Sequence, residues 1–94
     1  MKIQISVTQE DIKHGIRKAQ LSCPIARAVR RHLPNLKVFG QVCVGDKNVG
    51  FYKPNESTAT TIVTLPKKAS KFVRDFDRLR DVKPFNFSLD IPIA

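Results

Sequence analysis

LPKKASKFVRDFDRLRDVKPFNFSLDI, residues Leu65 to Ile91, carries two hydrophobic periods back to back. From Ala69 onward, Phe72, Val73, Phe76 and Leu79 recur at helical spacing, the stripe of an amphipathic helix that starts at Pro66. Beyond the link RDVKP the period falls to two. Phe85, Phe87, Leu89 and Ile91 then alternate with Asn86, Ser88 and Asp90, as in a strand with one buried face. Each stripe needs an apolar platform, and the link is short enough to fold the strand back beneath the helix. The spacing therefore predicts direct packing between the two, with Phe76 against Phe87 or a neighbour.

The rest of the chain supplies the other walls of that core. KIQISVT alternates Ile3, Ile5 and Val7 with polar residues and reads as a strand. TQEDIKHG follows as a short helix, with Thr8 as N-cap, Glu10 and Asp11 in the first turn, and Gly15 at its end. In SCPIARAVRRHLP, Ser22 or Cys23 caps a second helix and Pro24 occupies its first turn, where a missing N–H is harmless. Ile25, Ala26, Ala28, Val29 and Leu33 form its apolar side, opposite Arg27, Arg30 and Arg31; Pro34 and Asn35 stop it.

LKVFGQVCV is apolar on both faces and reads as a central strand. GDKN turns the chain into VGFY, the return strand of a hairpin, and KPNES turns it again into the β-branched TATTIVTL. The order β-α-α-β-β-β-α-β predicts an α+β domain spanning residues 1–94. It has about five strands in a small antiparallel or mixed sheet, covered on one face by two to three helices.

Seventeen Lys and Arg against eight Asp and Glu give a formal net charge of +9. The excess is spread along the chain, with seven basic and two acidic residues up to Pro34 and ten and six thereafter. Such a charge draws a protein towards polyanions: nucleic acid, an anionic membrane or an acidic protein face. No signal peptide or long apolar run is visible, and two cysteines make no disulfide framework. The expected setting is the cytoplasm, without membrane association and with reduced thiols.

Catalysis and metal binding find little support. Cys23 at a helix start is where a thiolate is favoured, but His14 and His32 fall in no catalytic frame around it. Packing explains Cys23 better. His14, Cys23, His32 and Cys43 are too widely spaced to contain a close ligand pair. Asp75, Asp77 and Asp81 lie among Arg74, Arg78 and Arg80, where local ion pairs account for them. No glycine-rich phosphate loop is present. The sequence predicts a protein that is not an enzyme and has no cofactor or metal.

Basic helical faces remain. Arg27, Arg30 and Arg31 leave the second helix opposite its apolar side. Lys67, Lys68, Lys71, Arg74 and Arg78 leave the third, three of them near its start, where the helix dipole disfavours cations. These eight are the candidate contacts to nucleic acid or another anionic partner, with Tyr52 a candidate stacking residue. No helix-turn-helix or zinc-finger signature accompanies them.

Two segments, Ile5 to Arg31 and Leu65 to Pro92, carry a resemblance. Cys23, Pro24, Ile25 and Ala26 match a C-P-[VI]-A helix. Phe72, Val73, Phe76 and Asp77 match F-V-x-x-F-D, and Val82, Pro84, Phe85, Phe87 and Leu89 match V-x-P-F-x-F-x-L. On these motifs the chain resembles a group of small uncharacterised bacteriophage and prophage proteins. The shared residues are mostly core positions. The resemblance implies a viral accessory protein in a bacterial host, of the kind that binds or inhibits host complexes. The expected function is non-catalytic binding of nucleic acid or a host nucleoprotein complex, with inhibition of a defence system such as a CRISPR effector as one outcome. The alternative is a protein-only inhibitor or structural partner that docks on a host protein by a sheet edge or an apolar hairpin surface.

Overall fold

Eight elements occur in the predicted order in a computed structural model that describes residues 2–32, 41–52 and 61–91. They are β1 (Lys2–Val7), α1 (Gln9–His14), α2 (Pro24–His32), β2 (Gln41–Val44), β3 (Asn48–Tyr52), β4 (Thr61–Thr64), α3 (Lys67–Asp77) and β5 (Phe85–Asp90). The fold is α+β, and every strand pairing is antiparallel. Leu33 to Gly40, which include the expected helix stop and Val38 and Phe39, lie outside the described residues, as do Lys53 to Thr60.

The five strands divide between two sheets. β1 pairs with β5, with Ile5 opposite Phe87 and Ile3 opposite Leu89, while β2, β3 and β4 form a meander in that order. The meander makes β3 the middle strand and puts β2, expected at the centre, on its edge. Consecutive hairpins leave the middle segment with two neighbours, whatever the apolar content of the first.

α2 joins the two sheets by packing against both β1 and β2. Its Ile25, Ala26, Ala28 and Val29 are fully buried. They meet Ile5, Val7, Phe87, Leu89 and Ile91 from one sheet, and Val42, Val44, Val49 and Phe51 from the other, in one continuous core. Cys23 caps the helix: its Sγ accepts the Ala26 N–H at 3.4 Å, and Pro24 follows in the first turn. Gly15 ends α1 with extended backbone, and what it provides is space. A Cβ there would sit 2.6 Å from the Pro24 ring.

α3 packs on β5 through aromatic rings, as the two periods predicted, but one turn away from the expected pair. Phe72 stacks on Phe85 at 4.8 Å between centroids, and Phe85 on Phe87 at 5.5 Å. Phe76 flanks the cluster, its ring 6.2 Å from that of Phe72. Leu79, placed on the buried stripe by its spacing, is instead 71% exposed. The helix ends at Asp77. Leu79 N–H then donates to the Phe76 carbonyl and Arg80 N–H to that of Asp75, a Schellman closure that turns Leu79 left-handed at φ 64°. Helical periodicity has no hold on a residue past the cap.

Candidate functional site

α3 presents its cations by helical arithmetic. Lys67, Lys71, Arg74 and Arg78 stand at i, i+4, i+7 and i+11, so they form one stripe opposite the aromatic face, about 16 Å long at 1.5 Å per residue. Lys68 lies to one side of it. Two polar pins on the flank fix the helix. Ser70 Oγ donates to the Asp46 carbonyl in the β2–β3 turn, and Asp77 Oδ1 accepts the Lys18 N–H at 2.9 Å from the loop between α1 and α2.

That first pin brings in a residue the sequence had not marked. Leu65 N–H donates to the Lys47 carbonyl at 2.8 Å, which anchors the β2–β3 turn beside the start of α3. Lys47, Lys67, Lys71 and Arg74 then line one groove of about 500 Å³ with Thr64 and Ser70 among them. Four cations and two hydroxyls share this groove, and no carboxylate lines it. Arg74 Nη1 donates to Ser70 Oγ at 3.2 Å, which ties its guanidinium to a neighbouring residue of the groove. Lys71 pairs with Asp75 at 3.0 Å outside the groove; this bond, with Arg80 at 3.3 Å, holds the Asp75 carboxyl below the usual range. Lys67, Lys68 and Arg78 have no ion-pair partner among the described residues.

The helix start itself is uncompensated. Pro66 at the N-cap offers no side-chain hydrogen bond, and the first turn contains no acid. Free N–H groups and lysines therefore point the same sign of charge outward at one place.

The arginines of α2 behave differently from expectation. Arg31 binds the Asp11 carboxylate at 2.6 Å and the Ser6 carbonyl at 2.6 Å. Arg30 donates to the Leu21 carbonyl, and Arg27 lies 3.8 Å from Asp11 with its Nε buried and without a hydrogen-bond partner among the described residues. These side chains leave the apolar face as predicted, yet Asp11 and two backbone carbonyls of the same chain claim them. The hydrogen bonds of Arg30 and Arg31 are structural. Charge reversal at Arg31 would remove its bonds and set like charge against Asp11, so it is expected to destabilise the fold.

Asp11 is the centre of this arrangement and is 1% exposed. It closes a capping box with Thr8: Asp11 N–H donates to Thr8 Oγ1 at 3.2 Å, and Thr8 N–H to Asp11 Oδ2 at 2.9 Å. Burial raises its pKa, but hydrogen bonds from Arg31 and Thr8 and the Arg31 charge outweigh burial, and the net shift is downward. His32 completes the joint. Its Nε2 accepts the Ser6 N–H at 3.1 Å, so α2 satisfies both backbone groups of Ser6 on the edge of β1 not paired to β5.

Tyr52 is half-buried at the far end of β3. Five residues of strand separate it from Lys47, roughly 16 Å at 3.3 Å each, so it is not part of the groove. Cys23 is in the core, and burial pushes its thiol pKa up. Among the described residues no group of three His, Cys, Asp or Glu side chains is arranged to hold a metal ion. None of their helices is long and apolar enough to cross a membrane. Compared with known families, curated proteins and solved structures, the chain matches none.

Proposed function

We propose that the protein is a non-catalytic accessory protein of a bacteriophage or prophage. It binds nucleic acid, or the nucleic acid of a host nucleoprotein complex, through the groove between α3 and the β2–β3 turn. Inhibition of a host defence complex in the bacterial cytoplasm is the outcome this reading favours. The observation that carries it is the convergence of Lys47, Lys67, Lys71 and Arg74 without an acid in the groove. Lys71 shares its charge with Asp75, but Lys47, Lys67 and Arg74 have no ion-pair partner among the described residues. Cations gathered at this density repel one another and favour an external anion. Phosphate oxygens, which lysine meets as a point charge and arginine as a fork, are the matching chemistry. Nothing in the groove is shaped to read base edges, so the binding is to backbone and independent of sequence.

The test must separate this groove from the general charge of the chain. Lys47→Glu/Lys67→Glu/Lys71→Glu lowers the net charge from +9 to +3, and so does Lys2→Glu/Lys13→Glu/Arg17→Glu on exposed positions elsewhere. Fluorescence anisotropy with labelled single-stranded DNA, duplex DNA and RNA measures affinity for each. The groove variant should lose roughly tenfold or more beyond the control variant. Equal losses would reduce the binding to net charge and remove the site.

A further inference from the structure

The β2–β3 turn sets an acid and a base side by side, Asp46 and Lys47, and the fold sends them to different places. Lys47 lines the basic groove and Asp46 does not. Asp46 lines two other cavities, and Lys47 lines neither of them. A carboxylate in the groove would offset one of its four cations, so the orientation of this turn bears directly on whether the groove holds phosphate.

Two bonds from outside the hairpin fix that orientation. Leu65 N–H, just past β4, donates to the Lys47 carbonyl at 2.8 Å, and Ser70 Oγ donates to the Asp46 carbonyl from α3. The Asp46 carbonyl belongs to the planar peptide that joins the two residues, so the Ser70 bond holds that plane in place. The same hydroxyl oxygen accepts Arg74 Nη1 at 3.2 Å. One buried side chain therefore restrains a cation on the turn and another on the helix. A serine has a single proton to give, and Ser70 has given it to Asp46. Nothing remains for it to donate to a phosphate oxygen.

We infer that Ser70 is the positioning residue of the groove. Its hydroxyl keeps Lys47 turned in, Asp46 turned away and Arg74 tied beside them, and so sets the affinity for phosphate without binding it. The inference rests on the polyanion reading of the groove and adds what holds the groove in its binding form.

Ser70→Ala tests it at a constant net charge of +9. Duplex DNA affinity, measured by fluorescence anisotropy across a salt series, should fall about fivefold, the size of one net hydrogen bond. The slope of log affinity against log salt should flatten by roughly 0.9 to 1.8, one or two phosphate contacts. Ser70→Cys, close in shape with only a weak S–H donor, should show the same losses to a lesser degree. Thr8→Ala is the control, since it deletes a capping hydroxyl on α1 at the same net charge. It should lower the melting temperature and leave both binding quantities as in wild type, which tells lost stability from lost position. Lys47→Gln should cost clearly less in Ser70→Ala than in wild type, because the lysine has already left the groove. Wild-type affinity and slope in both Ser70 variants, or an equal cost of Lys47→Gln in both backgrounds, would overturn the proposal. Reversal of the three groove lysines that costs no more than its charge-matched control would remove the groove reading and this inference with it, a failure seen in different variants.

Discussion

Asp11 shows what a single buried carboxylate does in a chain with a large excess of cations. The T-x-x-D spacing of its capping box is visible in the sequence, but its partner Arg31 is twenty residues away and carries no local signal. A helical wheel reports only that Arg31 avoids the apolar face; it cannot report who meets it there. Asp11→Asn should cost about 1–2 kcal/mol, since it removes the reciprocal cap and leaves Arg31 a weaker acceptor. Because the folded pKa lies below the unfolded one, the contribution is fully present above the ordinary carboxylate range. It is lost as pH falls through the lower folded value. Thermal melts across acid pH should show wild type losing stability in that window and Asp11→Asn losing less. Parallel pH profiles would show that the ion pair contributes nothing. Arg31→Glu, which sets a second carboxylate beside Asp11, should lower the melting temperature at neutral pH.

At the scale of elements, periodicity did most of the work. The alternation in Phe85 to Ile91 and the stripe of α3 predicted which faces are buried, and Phe87 at 1% exposure beside an exposed Asn86 follows that pattern. The contacting pair was displaced because period fixes a face and leaves the sliding position open. Leu79 escaped because the helix stopped before it, and a leucine in the glycine position of a cap announces nothing in sequence. Phe87→Ala should cost about 3–5 kcal/mol, against a total of about 5–15 kcal/mol for a small domain, and Asn86→Ala much less. Similar melting temperatures for the two variants would mean that β5 is not seated on the core as described.

For the whole molecule, composition gave the charge and the pattern gave the class, while the neighbours came from the fold. Alternation assigns each strand an inside and an outside without saying that the first pairs with the last, or that five strands divide into two sheets. The same gap hid the groove. Lys47 sits in a turn signal eighteen residues before Leu65, and only the bond from Leu65 N–H to its carbonyl brings it to α3. The eight cations singled out by sequence separate into α2 arginines held largely within the chain and α3 residues that face solvent. The central claim, that four cations in one groove hold phosphates, is tested most directly by the salt dependence of duplex DNA binding. Four phosphate contacts predict a slope of log affinity against log salt of roughly −3.6, falling to roughly −0.9 when the three groove lysines are reversed. A wild-type slope near zero, or one that the groove variant leaves unchanged, would contradict the account.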